Sequence, residues 1–573
     1  MTHADKLKVV LCWHMHQPHY RDGKDGQYRL PWVYLHAIKD YTDMAAHLEA
    51  MPEARVVVNF APVLLEQLDD YARQTGGWLE DGQPMQDAML NMLAGVAAFP
   101  ACPDERARLL QDCQRAHHPT MIAPYAEFQG LLDVCQPLLH HAAMAGQGLM
   151  FLSEQFFIDL LVWYHLAWMG VSVHQSDPRV GILMDKARGF EPADRRMLLQ
   201  IIHDAVAGII PRYRALYERG QIELSTTPYG HPIVPLLLDF DSMADAQPDA
   251  PRPHHPAYPG GKERARWHMD RGLQVFDHYF GHRPRGIWLS EGAVSTAAVH
   301  LLDDYDIQWT ASGQEVWHDS CLRSGLNEVR SCNRALYRPA QLEDSNCKLF
   351  FRDDGLSDLI GFQYKDWHAD DAARDFCQHA ENIANFLGDQ AGQRVVTVIL
   401  DGENAWEYYP KNAHYFLTAF YRALSHHPRV EMTTFSDALA QGAEPLPLSR
   451  LSAGSWVYGS FSTWIGEKDK NLGWDLLVEA RQAFDRVLAS GRLGPVQKQA
   501  VEAQLAICEG SDWFWWFGDY NPAESVRDFE LLYRQHLEKL YELLGEPVPP
   551  RLAQPVSHGG GHMENSGTMR RNL

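Results

Sequence analysis

A succession of short, β-branched apolar runs, separated by long stretches of helical spacing, limits this chain to very few folds. Residues 9–13, 55–59, 221–226, 286–289, 307–311, 348–351 and 395–400 read as strands. Runs this short and this apolar suit strands buried on both faces. Between them, residues 62–74 and 195–218 place apolar side chains at helical intervals. Strands alternating with helices predict a parallel α/β sheet with right-handed crossovers, either open or closed into a barrel.

At 573 residues the chain exceeds a single small core. A catalytic barrel is expected over residues 1–440, interrupted near 75–170 by a helical insertion that carries no strand signal. Residues 239–262, rich in Pro, Asp, Gly and His, read as a long loop near the barrel mouth. Residues 441–553 read as a C-terminal helical bundle, with 476–490, 495–508 and 525–544 its clearest amphipathic helices. Residues 554–573 lack apolar periodicity and are expected to be disordered.

Composition excludes several classes of function. A formal net charge of −23 opposes nucleic acid and anionic membranes, and leaves a neutral ligand such as a polysaccharide unopposed. No stretch approaches the roughly 20 apolar residues of a membrane span, and the N-terminal run reads as a strand rather than a signal segment. Nine Cys, an odd number without a C-x-x-C pair, do not form a disulfide framework. These features together predict a cytoplasmic protein. No dinucleotide fingerprint, phosphate loop or zincin motif is present, so no cofactor is expected. Seventeen Trp exceed what a core needs and suit the faces of sugar rings.

Two of the strand runs end in an acid, Glu291 after Trp288 and Leu289, and Asp401 after Leu400. Acids just past the C-terminal ends of parallel strands converge on one mouth, where two of them can cleave a glycosidic bond. The rival readings are a helix-terminal acid for Glu291 and a simple Asp-Gly turn for Asp401. Asp401 is followed by Glu403, Asn404 and Trp406, more acceptors and rings than a turn requires. His14 and His16 share one strand face, where they would contact sugar hydroxyls or, as the competing reading, ligate a metal. Glu223 and His231 flank a Thr-Thr-Pro-Tyr-Gly turn and could bind ligand, although a capped turn explains them nearly as well. The aromatic loop 455–474, with Trp464 and Trp474, reads as a stacking platform or an interdomain seam, and 511–518 as core or seam. Arg352 and the acids after it read as a charge network near the catalytic pair.

Taken in order, these segments resemble glycoside hydrolase family 57. The likeness runs through His16-Gln-Pro, the stretch from Glu223 to Leu237, Trp288 to Glu291, Asp401-Gly-Glu-Asn, and the segment around Trp464. Ser290 stands where the third motif often has Pro. The resemblance implies an incomplete (β/α)7 barrel and a retaining mechanism, with Glu291 as nucleophile and Asp401 as general acid/base. It places His16, His231 and Trp288 around the cleaved sugar, with Trp464 and Trp474 on neighbouring rings, and requires no metal. The α-amylase and amylopullulanase-like members are the nearest in motif form, acting on α-1,4 links with α-1,6 links as a further target. The alternatives are a 4-α-glucanotransferase or branching enzyme, a metal-dependent deacetylase or mannosidase-like barrel using His14 and His16, and a non-catalytic glucan-binding protein.

Overall fold

The computed structural model describes residues 6–140, 147–327, 334–561 and 568–569. Nine strands are present among them: β1 (Leu7–Met15), β2 (Val56–Phe60), β3 (Ile222–Thr226), β4 (Trp309–Ser312), β5 (Ala340–Leu342), β6 (Lys348–Phe351), β7 (Val395–Asp401), β8 (Val430–Thr433) and β9 (Leu446–Leu448). β1 lies at the centre, with all nine of its residues buried. It pairs in parallel with β7 along one edge, and with β8 and then β2 along the other. β3 extends the sheet from β2.

The circuit closes incompletely. Parallel bridges from Thr226 to Ile287 and from Gly286 to Trp309 carry it from β3 to β4, β6 follows, and a bridge from Arg352 to Thr397 returns it to β7. The expected strand at 286–289 is therefore reduced to single bridges, and the result is the incomplete α/β barrel that was expected. Gly286 is close against the Trp309 ring, where any Cβ would overlap the indole.

Inside the ring, Val10, Cys12, Val57, Trp288, Trp309, Phe350, Ile399 and Phe435 form a continuous apolar plug. This plug floors the barrel mouth with rigid packing, so the loops above it are held in place. The helices Ala88–Ala94, Pro103–Asp112, Ala126–His140 and Glu154–Trp168 occupy the inserted region, and Lys468–Ala489, Pro495–Cys508, Ser511–Trp516 and Ala523–Leu544 follow the barrel. No described helix is long and apolar enough to cross a membrane.

The C-terminal helices are fastened to the barrel by a buried ionic cluster. Glu509 accepts from Arg264 Nη2 at 2.8 Å and meets His268 Nε2 at 2.7 Å. The expected disordered tail differs where it is described: the Gly560 and Gly561 amides donate to the Asn521 carbonyl at 2.9 and 3.0 Å, and Met569 is buried. Backbone hydrogen bonds anchor this stretch, and they leave no apolar period in a sequence. Residues 562–567 and 570–573 lie outside the described residues.

Candidate active site

β1 and β7 deliver the first part of the site in register. His14 lies opposite Asn59 on β2 and opposite Asp401 on β7. Asp401 is the last residue of β7 and opens on a cavity of about 640 Å³ at the barrel mouth. Glu291 enters the same cavity from the loop after Trp288. Glu291 and Gly292 both take left-handed backbone angles, with φ of 60° and 56°. For Glu291 that conformation costs energy, and such outliers concentrate where a side chain must be aimed. Gly292 is obligatory, since a Cβ there would meet the Trp288 ring at 2.6 Å.

The two acids occupy different environments. Glu291 Oε2 accepts from Trp456 Nε1 at 2.9 Å, and the Glu291 carbonyl accepts from the Trp456 amide at 3.1 Å. Asp401 has one side-chain donor, Asn404 Nδ2 at 2.8 Å. Burial disfavours its charged form and pushes it up to about 6, against the weaker lowering by Asn404, His16 and Arg352. Arg352 is held by Asp354 and Asp358 at 2.7 and 2.8 Å and sits over the Trp456 ring. This is the charge network expected near the acids. Glu403 accepts from Gln17 Nε2 at 3.2 Å, and burial pushes its carboxyl up so that its neutral form is favoured.

Three histidines stack beside the acids. The His16 and His231 ring centroids are 3.8 Å apart, and those of His14 and His231 are 5.2 Å apart. His14 Nδ1 meets Asn59 Oδ1 at 2.7 Å, and its Nε2 meets His231 Nε2 at 3.2 Å. His231 Nδ1 meets Ser511 Oγ at 2.8 Å and lies 3.9 Å from Glu291 Oε1. His16 Nε2 meets Asp512 Oδ1 at 2.8 Å. Burial lowers His14 to about 3 and His231 well below its ordinary value, so both rings are neutral. Ligand-type atoms of His16, His231 and Asp512 fall within 4.8 Å of one another. Both nitrogens of His231 are already hydrogen-bonded and Asp512 already holds His16, so a cation would have to break these contacts to bind.

Five of the sequence-derived candidates lie elsewhere. Glu223 accepts from Trp309 Nε1 at 2.8 Å and from Ser436 N at 3.0 Å, inside the barrel plug. Trp406 is buried against Trp13 and donates to the Gly402 carbonyl at 2.8 Å. Trp464 and Trp474 are fully buried, with Trp474 Nε1 on the Trp464 carbonyl and its ring stacked on Phe514 at 4.5 Å. These two form an interdomain seam and present no open face for a sugar. Trp288 is also fully buried, supporting Gly292 and packing on Trp456 at 5.2 Å. The aromatic rings that do line the cavity include Trp32, Tyr408, Trp456, Trp515 and Trp516. Trp456, Trp515 and Trp516 fall within aromatic runs visible in the sequence, but nothing in a run's composition says which of its rings face outward.

No curated protein matches the chain. Solved structures share its fold at low identity. The GH57-type branching enzyme of Pyrococcus horikoshii has 16% identity and a TM-score of 0.56, over 94% of this chain and 89% of that one. The alpha-amylase AmyC of Thermotoga maritima has 14% identity and a TM-score of 0.55, over 94% and 93%. The 4-alpha-glucanotransferase of Thermococcus litoralis has 13% and 0.50, over 94% and 60%. The sequence model of glycosyl hydrolase family 57 matches residues 10–446, most of the chain and every barrel residue of the site just described. The chain belongs to glycosyl hydrolase family 57.

Proposed function

We propose that this protein is a retaining α-glucan-active enzyme, with Glu291 as nucleophile and Asp401 as general acid/base. The supporting observation is that the two carboxyls face one cavity from different surroundings. Glu291 accepts an indole N–H, whereas burial favours protonated Asp401. A protonated donor facing a second carboxyl is what double displacement needs. Glu291 attacks the anomeric carbon while Asp401 gives its proton to the departing glycosidic oxygen. Asp401, now ionised, takes a proton from the incoming hydroxyl, which displaces Glu291 and restores the configuration. His14 and His16 line the cavity wall with the His231 ring stacked behind them, and Trp32, Trp515 and Trp516 offer ring faces to neighbouring sugars.

Hydrolysis of α-1,4 links is the first reading, with α-1,6 links a further target. Transfer to a second glucan is the alternative, favoured by fold relatives that are branching enzymes and a 4-alpha-glucanotransferase. Incubation with maltoheptaose and chromatography of the products separates the two. Glucose, maltose and other shorter chains alone mean hydrolysis, and chains longer than the substrate mean transfer. Absence of any product from maltoheptaose, amylose and amylopectin would overturn the proposal.

A further inference from the structure

The hydrogen bonds behind the histidine stack have one allowed direction. The Gly286 carbonyl can only accept, so Ser225 Oγ, at 3.0 Å, donates to it. Ser225 Oγ then accepts from Asn59 Nδ2 at 3.0 Å, which turns Asn59 Oδ1 toward His14. His14 Nδ1 must carry the proton for that contact, leaving its Nε2 as acceptor. His231 Nε2 therefore donates to His14, and His231 Nδ1 is left as an acceptor. The Ser511 hydroxyl, at 2.8 Å, donates to it.

From this chain of contacts we propose that Ser511 is a positioning residue for the reaction, its hydroxyl engaging the Nδ1 lone pair that His14 leaves on His231 so that the ring beside Glu291 stays uncharged. The inference rests on the reading of Glu291 as nucleophile. A proton on His231 Nδ1 would face Glu291 Oε1 across 3.9 Å. The resulting imidazolium would pair with the carboxylate and withdraw its electrons from attack on the sugar. A hydroxyl proton on Nδ1 favours the neutral ring and disfavours this. The groups around His231 are His14 from β1, His16 just beyond its end, Glu291 from the barrel loop, and Asp512 beside Ser511. Behind it, His268 Nδ1 accepts from the Gly230 amide. Among these groups, the acids alone would favour a charged His231.

Ser511 comes from the C-terminal helical region, which is seated closely enough to make the contact reliable. The Ser511 amide donates to the His231 carbonyl at 2.9 Å, and a Cβ on Gly230 would meet the Ala506 carbonyl oxygen at 2.4 Å. The C-terminal region therefore sets the protonation geometry of a site whose two acids both lie on the barrel.

The test joins a spectroscopic and a kinetic measurement on the full chain. Long-range ¹H–¹⁵N spectra of histidine-labelled protein, with His231 assigned through His231→Gln, should show a neutral ring protonated at Nε2 between pH 5 and 8. In Ser511→Ala, the acid limb of kcat/KM on maltoheptaose should move up by about one pH unit, toward the ordinary histidine range. Activity at pH 5 should then fall about two- to fivefold more than activity at pH 8. Ser511→Thr should restore the wild-type limb. A His231 ring protonated at Nδ1 in the wild type overturns the proposal, as does a uniform loss across pH in Ser511→Ala. An inactive wild type with the expected tautomer would count against the nucleophile reading alone.

Discussion

Trp456 holds Glu291 at both ends, its indole N–H on the carboxylate and its backbone N–H on the carbonyl. Only the first contact depends on the side chain. Trp456→Phe keeps a ring against Trp288 and removes the hydrogen bond to the carboxylate. A hydrogen bond to a charged group is worth about 1.5–3 kcal/mol, so kcat/KM on maltoheptaose should fall by about 10- to 100-fold. The melting temperature should change little, because the second contact is retained.

In the proposed mechanism Asp401 carries the pH dependence of the chemical step. With its carboxyl pushed up to about 6 by burial, the protonated donor is lost as pH rises through that value, and kcat/KM should decline above it. The same shift acts on stability with a definite sign. A carboxyl raised in the folded state costs nothing below its unfolded value of 3.8, and the cost is complete above about 6. Relieving it is worth up to about 3 kcal/mol. Asp401→Asn should therefore lower turnover by about 10²–10⁴-fold while raising the melting temperature at pH 8 and leaving it unchanged at pH 3. Rates and thermal melts across pH check both parts.

Sequence alone located the two acids because each follows an apolar strand-like run, and strand ends at a barrel mouth are where such runs lead. It located the central strands for the same reason. β5, β8 and β9 span three or four residues each, too short to leave a period. The aromatic candidates were harder. Trp464 and Trp474 fall in a Gly- and Ser-rich stretch that reads as a stacking platform, yet Trp464 is fully buried and the Trp474 ring is packed against Phe514 and Phe240. Trp456, eight residues earlier in the same loop, took the role at the acid. Ser511 and Asp512 were beyond reach: Asp512 contacts His16 across a separation of 496 residues, and no local pattern pairs such distant positions.

The fastening of the C-terminal helices rests on Glu509, whose carboxylate Arg264 and His268 hold far below its usual 4.5 against the cost of burial. Glu509→Gln would leave the Arg264 guanidinium buried without its counter-charge. Breaking a buried pair in this way costs about 3–5 kcal/mol, and the loss should appear as a lower denaturation midpoint in urea. The lowered carboxyl contributes stability that is complete above pH 4.5 and disappears as pH falls below it. The gap between wild type and Glu509→Gln should therefore narrow toward pH 3.

Covalent trapping tests the assignment of the nucleophile most directly. Brief incubation with 5-fluoro-α-D-glucosyl fluoride, followed by peptic digestion and mass spectrometry, should find one glucosyl adduct, on the peptide containing Glu291, and fragmentation should place it on that residue. The adduct should be absent from Glu291→Gln. An adduct on Asp401 or any other side chain, or steady turnover with inverted product configuration and no adduct at all, would contradict the assignment.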